Sequence, residues 1–225
     1  MLKTFIKILL KFLLPNSIWE KRSPFFEFLY EKFEDLMILS YGIFYKLKQP
    51  KYFFYPYRHV VAINYLKLVI RFLEEEKIKY FITAGALLGA LRQGAIAGGA
   101  HDLDIGIKES SKDTEYKLNI VLEKLKKKNF DIKKLKGGDS WHARRWYLVD
   151  FALFRKVKIN NNHHWTHNNS LDQIWSVPES SLDELKKIKF YDFYIFAPSN
   201  PEKLVETIYG NDWIQPHKKK QFKFF

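Results

Sequence analysis

The chain has 225 residues, 47% of them hydrophobic and 17% aromatic, which allows one buried core and excludes a disordered chain. It has no cysteine, which rules out disulfides, thiolate zinc sites and thiol nucleophiles and fits a reducing compartment. A formal net charge of +13 and a pI near 9.6 point to anionic partners: a nucleotide, a polyphosphate, nucleic acid or an acidic membrane face.

From Met1 to Leu14, Lys3, Lys7 and Lys11 fall at i, i+4 and i+8 in an otherwise apolar segment that stops at Pro15-Asn16, the pattern of an amphipathic helix. Fourteen residues make about 21 Å of helix, short of a ~30 Å hydrocarbon core. The lysines are spread along the segment, whereas those of a signal peptide would precede the apolar run. An in-plane membrane anchor is therefore expected, although a helix docked on the protein itself or on a partner has the same spacing. Residues 23–57 stay rich in aromatics (Phe25, Phe26, Phe28, Tyr30, Phe33, then Tyr52, Phe53, Phe54 and Tyr55), broken at Pro50 and Pro56. They read as a second interfacial patch or as a helical lid. Residues 1–56 thus read as an amphipathic and aromatic-rich extension, and residues 57–225 as a separate domain.

Apolar spacing at Val61, Tyr65, Leu68, Val69 and Phe72 predicts a helix over 58–77. A short strand at Tyr80 leads through the turn Ala84-Gly85-Ala86 into a small-residue helix ending at Arg92, followed by a strand over 102–107. Residues 113–129 read as a helix capped by Asp113, and its final run Lys126-Lys127-Lys128 as a solvated face suited to a helix C-terminus. Gly137-Gly138-Asp139 reads as a turn and 145–154 as a strand. The polar stretch 160–170, with His163, His164 and His167, reads as a mobile loop over the site; without cysteines or an acidic partner in frame it is a poor zinc site. Strands over 187–190 and 193–197 are joined tightly through Tyr191-Asp192. The fold class is α+β, a mixed sheet flanked by helices.

Asp102 and Asp104 alternate with Leu103, Ile105 and Ile107, so both carboxylates share one face of a strand with Cα atoms about 6.6 Å apart. Two hard oxygen ligands at that spacing suit Mg²⁺ or Mn²⁺. Asp150 lies in the otherwise apolar run 147–154 and needs a cation or donor if it is buried. A metal shared with Asp102 and Asp104 meets that need, and so would Arg144, Arg145 or Arg155. Gly85 and Ala86 allow a phosphate close to a helix N-terminus, or simply tight helix-on-sheet packing. Arg92 is a candidate phosphate contact, with a surface ion pair as the alternative. In Trp141-His142-Ala143-Arg144-Arg145-Trp146, alternation puts Arg144 and Trp146 on the side of Asp150, and His142 too if the strand begins that early. That segment either contacts a base or diphosphate or is a cation–π strand edge. It is too short to line an RNA groove, which disfavours a nucleic-acid partner.

Residues 80–92, followed by Asp102-Leu103-Asp104-Ile105-Gly106-Ile107, closely resemble the LicD/fukutin family. The ending over 198–213, an apolar helix closing on Tyr209-Gly210 and then Trp213, is similar to that family's ending. The resemblance spans roughly 57–216. It implies a nucleotidyltransferase-like fold and transfer of a phospho-alcohol (phosphocholine, ribitol phosphate or similar) from a CDP-linked donor to a hydroxyl of a cell-surface glycan or lipid-linked sugar. It also implies Asp102 and Asp104 as metal ligands, with Asp150 as the third acid. The family's usual approach, Gly-Phe-Ile-Pro-Trp-Asp-Asp, is replaced here by Gly94-Ala95-Ile96-Ala97-Gly98-Gly99-Ala100-His101, and Gln93 stands where a histidine is frequent. His101, next to Asp102, is a further metal ligand or the mark of a relaxed donor site. The same acids would serve a nucleotidyltransferase proper, and a catalytically inactive nucleotide- or membrane-binding scaffold is the third reading. The expected location is cytoplasmic, peripheral on the membrane.

Overall fold

The computed structural model describes residues 24–97, 100, 102–135, 138–168 and 174–215, with backbone alone at 24–31 and 34. The expected helix over 1–14, the approach residues Gly98 and Gly99, His101 and Gly137 lie outside them. By its contacts the chain divides into two units, residues 1–58 and 59–225. The first holds α1 (Pro24–Lys48) and a 3₁₀ turn (Pro50–Tyr52). Helix α2 (Tyr57–Glu75) begins at the boundary.

The second unit is built on a mixed sheet. Its strands are β1 (Tyr80–Ile82), β2 (Asp102–Lys108), β3 (Asp131–Lys134), β4 (Ser140–Arg144) and β5 (Leu148–Ile159), in the spatial order β1-β2-β5-β4-β3. Among the described residues only the β2–β5 pair is parallel. Helix α3 (Ala84–Gln93) links β1 to β2, and α4 (Thr114–Lys127) follows β2. One sheet face is apolar across its three central strands: Leu103, Ile105 and Ile107 of β2, Val149, Phe151 and Leu153 of β5, and Trp141 and Ala143 of β4 are buried. Fully burying side chains of this size contributes about 1.5–3 kcal/mol each. The other face is divided. Phe81 and Phe154 bury one end of it completely, while Asp102, Asp104 and Asp150 occupy the half-buried end.

Two segments differ from the sequence reading. The expected strand over 145–154 begins three residues later: β4 ends at Arg144, three loop residues follow, and β5 runs from Leu148 on. Arg145 and Trp146 therefore sit in the turn, and Trp146 is not on the strand face of Asp150. The histidine-rich segment is no loop: it forms β6 (Asn162–Asn168), antiparallel to the outer half of β5, and pairs on its far side with β7 (Ile174–Pro178). β5 runs past its neighbours, so its backbone groups from Arg155 to Ile159 need a partner, and β6 supplies one. Asn160 and Asn161, at φ 47° and 66°, make the two-residue turn that asparagine tolerates. His167 is consequently a core residue, buried between Phe154 and Trp175, and burial lowers its pKa.

The chain closes with a short helix α5 (Ser180–Asp183), the hairpin β8 (Leu185–Phe190) and β9 (Phe193–Pro198), and helix α6 (Pro201–Tyr209). Asp113 precedes α4 as expected, but its side chain bonds Ser111 and Lys117 and makes no cap bond to the helix backbone.

Candidate active site

Strand register brings the acids together. Asp104 lies directly opposite Asp150 across the parallel β2–β5 pair, and Asp150 lies opposite His142 across β5–β4. Asp102 is one pleat from Asp104 on the same face, opposite Leu148, and Arg144 pairs with Leu148 on the other side. Asp102, Asp104, Asp150, His142 and Arg144 therefore project from one surface of three adjacent strands. His142 Nε2 stands 3.5 Å from Asp150 Oδ2. Arg144 is exposed.

The turn before α3 closes this surface from above. Ala84 is held at φ 39°, and the chain then enters the helix with Gly85 and Ala86 facing Asp104. The Ala86 N–H donates to Asp104 Oδ2 at 3.1 Å. A Cβ on Gly85 would lie 3.1 Å from that same oxygen and 3.8 Å from the Tyr209 hydroxyl, so the residue must be small for helix and carboxylate to approach. The first turn of α3, read from sequence as open to a phosphate or tightly packed on the sheet, points amide dipoles at the central carboxylate.

Electrostatics single out Asp104. Burial holds its carboxyl well above the usual range, and the neighbouring charges of Asp102 and then Asp150 push it further; the amides of Ala86 and Gly85 pull it partly back. Tyr209, at the end of α6, is raised by burial and then by Asp104 and Asp102. The sequence reading did not select Tyr209 as a site residue. Its signal was the Tyr-Gly pair closing the last helix, which reads locally only as a helix stop.

Asp150 does not find its counter-charge in the arginines considered from sequence. Arg155 binds Asp139, Glu109 and Glu115 instead, as the hub of a half-buried ion cluster. Asp150 Oδ1 is buried and has no hydrogen-bond partner among the described residues. An orphaned carboxylate oxygen beside two like-charged acids fits a hard cation such as Mg²⁺ or Mn²⁺, which takes oxygen ligands. Among the described residues, however, no three His, Asp or Glu side chains are already gathered into a metal-ligand cluster.

Arg92 is engaged by backbone carbonyls. Its Nη2 donates to the carbonyls of Trp213 and Gln215, the latter at 3.1 Å, and so ties α3 to the segment after α6.

Gly94, Ile96 and Ala100, described residues of the approach to Asp102, are each tied to the rest of the domain. Tyr191, in the β8–β9 turn at φ 53°, donates its N–H to the Gly94 carbonyl at 2.6 Å. Its hydroxyl accepts from the buried Ile96 N–H at 3.0 Å and lies 2.9 Å from His59 Nδ1. Farther along, the Tyr147 hydroxyl donates to the Ala100 carbonyl at 2.9 Å. Replacing Tyr191 by Phe leaves the Ile96 N–H without its acceptor and should cost about 1–2 kcal/mol, measured by urea unfolding.

Comparison with known proteins follows the same lines. The family profile described as LicD/FKTN/FKRP, nucleotidyltransferase domain, matches residues 77–200, over half of the chain. No curated protein matches. Two solved structures are similar at a low level. The lincosamide antibiotic adenylyltransferase LnuA, lincomycin-bound, has 15% identity and a TM-score of 0.43 over 62% of this chain and 80% of that one. The antibiotic-resistance factor ANT(2'')-Ia has 12% identity and a TM-score of 0.42 over 65% of this chain and 69% of that one. At these scores neither likeness bears on substrate. The profile match spans the anchored approach and every acid of the sheet face, and this chain belongs to the LicD/FKTN/FKRP family, a transferase with the family's nucleotidyltransferase domain.

Proposed function

We propose that the protein is a metal-dependent phosphotransferase moving a phospho-alcohol from a CDP-linked donor to a hydroxyl of a cell-surface glycan or lipid-linked sugar. The observation that carries this reading is the register of Asp104 against Asp150, with Asp102 one pleat away and the first turn of α3 over them. Family membership supports transfer at a nucleotide-linked phosphate.

In this scheme the acceptor oxygen attacks the phosphorus that carries the alcohol. A new O–P bond forms, the P–O bond to CMP breaks, and CMP leaves with the bonding electrons. Asp150 accepts the acceptor's proton. Asp102, Asp104 and Asp150 would hold Mg²⁺ or Mn²⁺, which neutralises charge growing on the phosphoryl oxygens. The amides of Gly85 and Ala86 orient Asp104 and partly offset the burial and like charges that raise its pKa. His142 and the exposed Arg144, on the same face, offer donors to the diphosphate. The reaction belongs on the cytoplasmic side of a membrane, reached through the cationic segment from Met1 to Leu14. Among the described residues no helix is long and apolar enough to cross one.

The test is thermal stabilisation by CDP, CDP-choline, CDP-ribitol, CDP-glycerol, ATP and UTP, each with and without Mg²⁺ or Mn²⁺. A saturating CDP-alcohol with metal should raise the melting temperature by about 5–10 °C, and the shift should vanish in Asp104→Asn. A shift with nucleoside triphosphates alone would replace this reading by nucleotidyl transfer. No shift with any ligand would leave a catalytically inactive scaffold.

A further inference from the structure

We infer that the exposed face of α1 and the turn after it is a docking surface for an anionic lipid bilayer. The inference stands on the first unit alone and does not depend on the transferase reading. Large apolar side chains are exposed at scattered points of the described chain, but Phe33, Leu36, Leu39, Ile43, Phe44, Leu47, Phe53 and Phe54 crowd into one short stretch of it. At 100° per residue, the six on α1 fall within an arc of about 140°, a single stripe along the helix. The stripe is well open to solvent: Leu36 is 59% exposed, Leu47 78% and Phe54 91%. Isolated exposed apolar residues need no explanation, but a continuous stripe does.

Charge selects the occupant. Lys46 reaches the Phe53 carbonyl at 2.7 Å with its ammonium over the Tyr57 ring, Lys48 lies over Phe44, and Lys51 lies over Tyr52. Cations are thus laid around the apolar stripe, while Asp35, the acid of α1 whose side chain is described, is engaged by Arg58. An apolar face rimmed by lysines and aromatics matches the boundary between acyl chains and anionic headgroups. It does not match a second copy of this chain, which would present the same lysines. Nor does it match the segment from Met1 to Leu14, which carries Lys3, Lys7 and Lys11. The rim of Lys46, Lys48 and Lys51 and the lysines of the segment from Met1 to Leu14 both suit one negatively charged surface.

The experiment is co-sedimentation of the full chain with vesicles of phosphatidylcholine alone or with 30% phosphatidylglycerol (a composition chosen for about the charge of an anionic leaflet). The wild type should partition onto the anionic vesicles, and more weakly in high salt. Leu36→Glu/Leu47→Glu/Phe54→Glu should lower partitioning at least tenfold, with an unchanged melting temperature because all three side chains are exposed. Lys48→Glu/Lys51→Glu should lower it about fivefold or more on anionic vesicles only. Tyr194→Glu, an exposed aromatic of β9, should bind as the wild type does. If the triple variant partitions like the wild type, the surface is not the docking site. If the wild type ignores vesicles and the triple variant converts a dimer to a monomer in sedimentation velocity, the stripe joins two copies and the inference fails.

Discussion

Asp104→Asn is expected to reduce turnover about 10³-fold or more, while the metal-free protein keeps or gains thermal stability. The loss follows from removing a charge at the centre of the acid face, on the scale seen when a group stabilising transition-state charge is deleted. The stability effect follows from desolvation: Asp104 is half-buried beside Asp102 and Asp150, and its proton is held more tightly in the folded chain than in the unfolded one. With an unfolded value near 3.9, the ionised carboxylate destabilises the fold at neutral pH. The penalty lifts as pH falls through the raised folded value, and it is gone below about 3.9. The stability difference between Asp104→Asn and wild type should therefore be largest at neutral pH and shrink on acidification. Saturating Mg²⁺ should reverse its sign by stabilising only the wild type. Calorimetry from pH 7.5 to 4, with and without Mg²⁺, reads both effects. Near-normal turnover in Asp104→Asn would refute the acid-face mechanism.

Gly89→Ala carries the largest expected stability loss. In the interior of a helix this change ordinarily adds up to about 1 kcal/mol of stability. Here a Cβ at position 89 would collide with the backbone of Ala95, Ile96 and Ala97, with the Ile96 carbonyl carbon at 2.8 Å. That backbone cannot move aside cheaply. Tyr191 holds it through the Gly94 carbonyl and the Ile96 N–H, and Ile96 itself is fully buried. Overpacking against pinned backbone outweighs the propensity gain, and a net loss of about 2 kcal/mol is expected, roughly 4–8 °C in melting temperature. Because the displaced residues lead into Asp102, turnover should fall as well. Combining Gly89→Ala with Tyr191→Phe should cost less than the sum of the two, since the second change frees the loop that the first must push. A simple additive result would show that Tyr191 does not pin the approach.

The alternation of acids and aliphatics around Asp104 and the turn at Gly85 were legible because strand period and turn chemistry are local properties. Mixed α+β architecture, the helices on either side of Tyr80 and the hairpin at Tyr191-Asp192 could be read for the same reason. The histidine segment was misread because polar composition suggests a loop, whereas the outer half of β5 required a partner strand whatever the side chains. Arg155 was a plausible partner for Asp150 by type alone. Its actual partners, the cluster of Asp139, Glu109 and Glu115, are set by tertiary packing.

Local order dictated which carboxylates share a strand face and where a helix starts beside them. Folding alone decided that Asp104 stands opposite Asp150, that the amides of α3 are given to a carboxylate, that Tyr209 closes over the acids and that Tyr191 pins their approach. Each of those contacts joins residues remote in sequence, and whether such a contact forms depends on strand order, register and packing that no local spacing encodes.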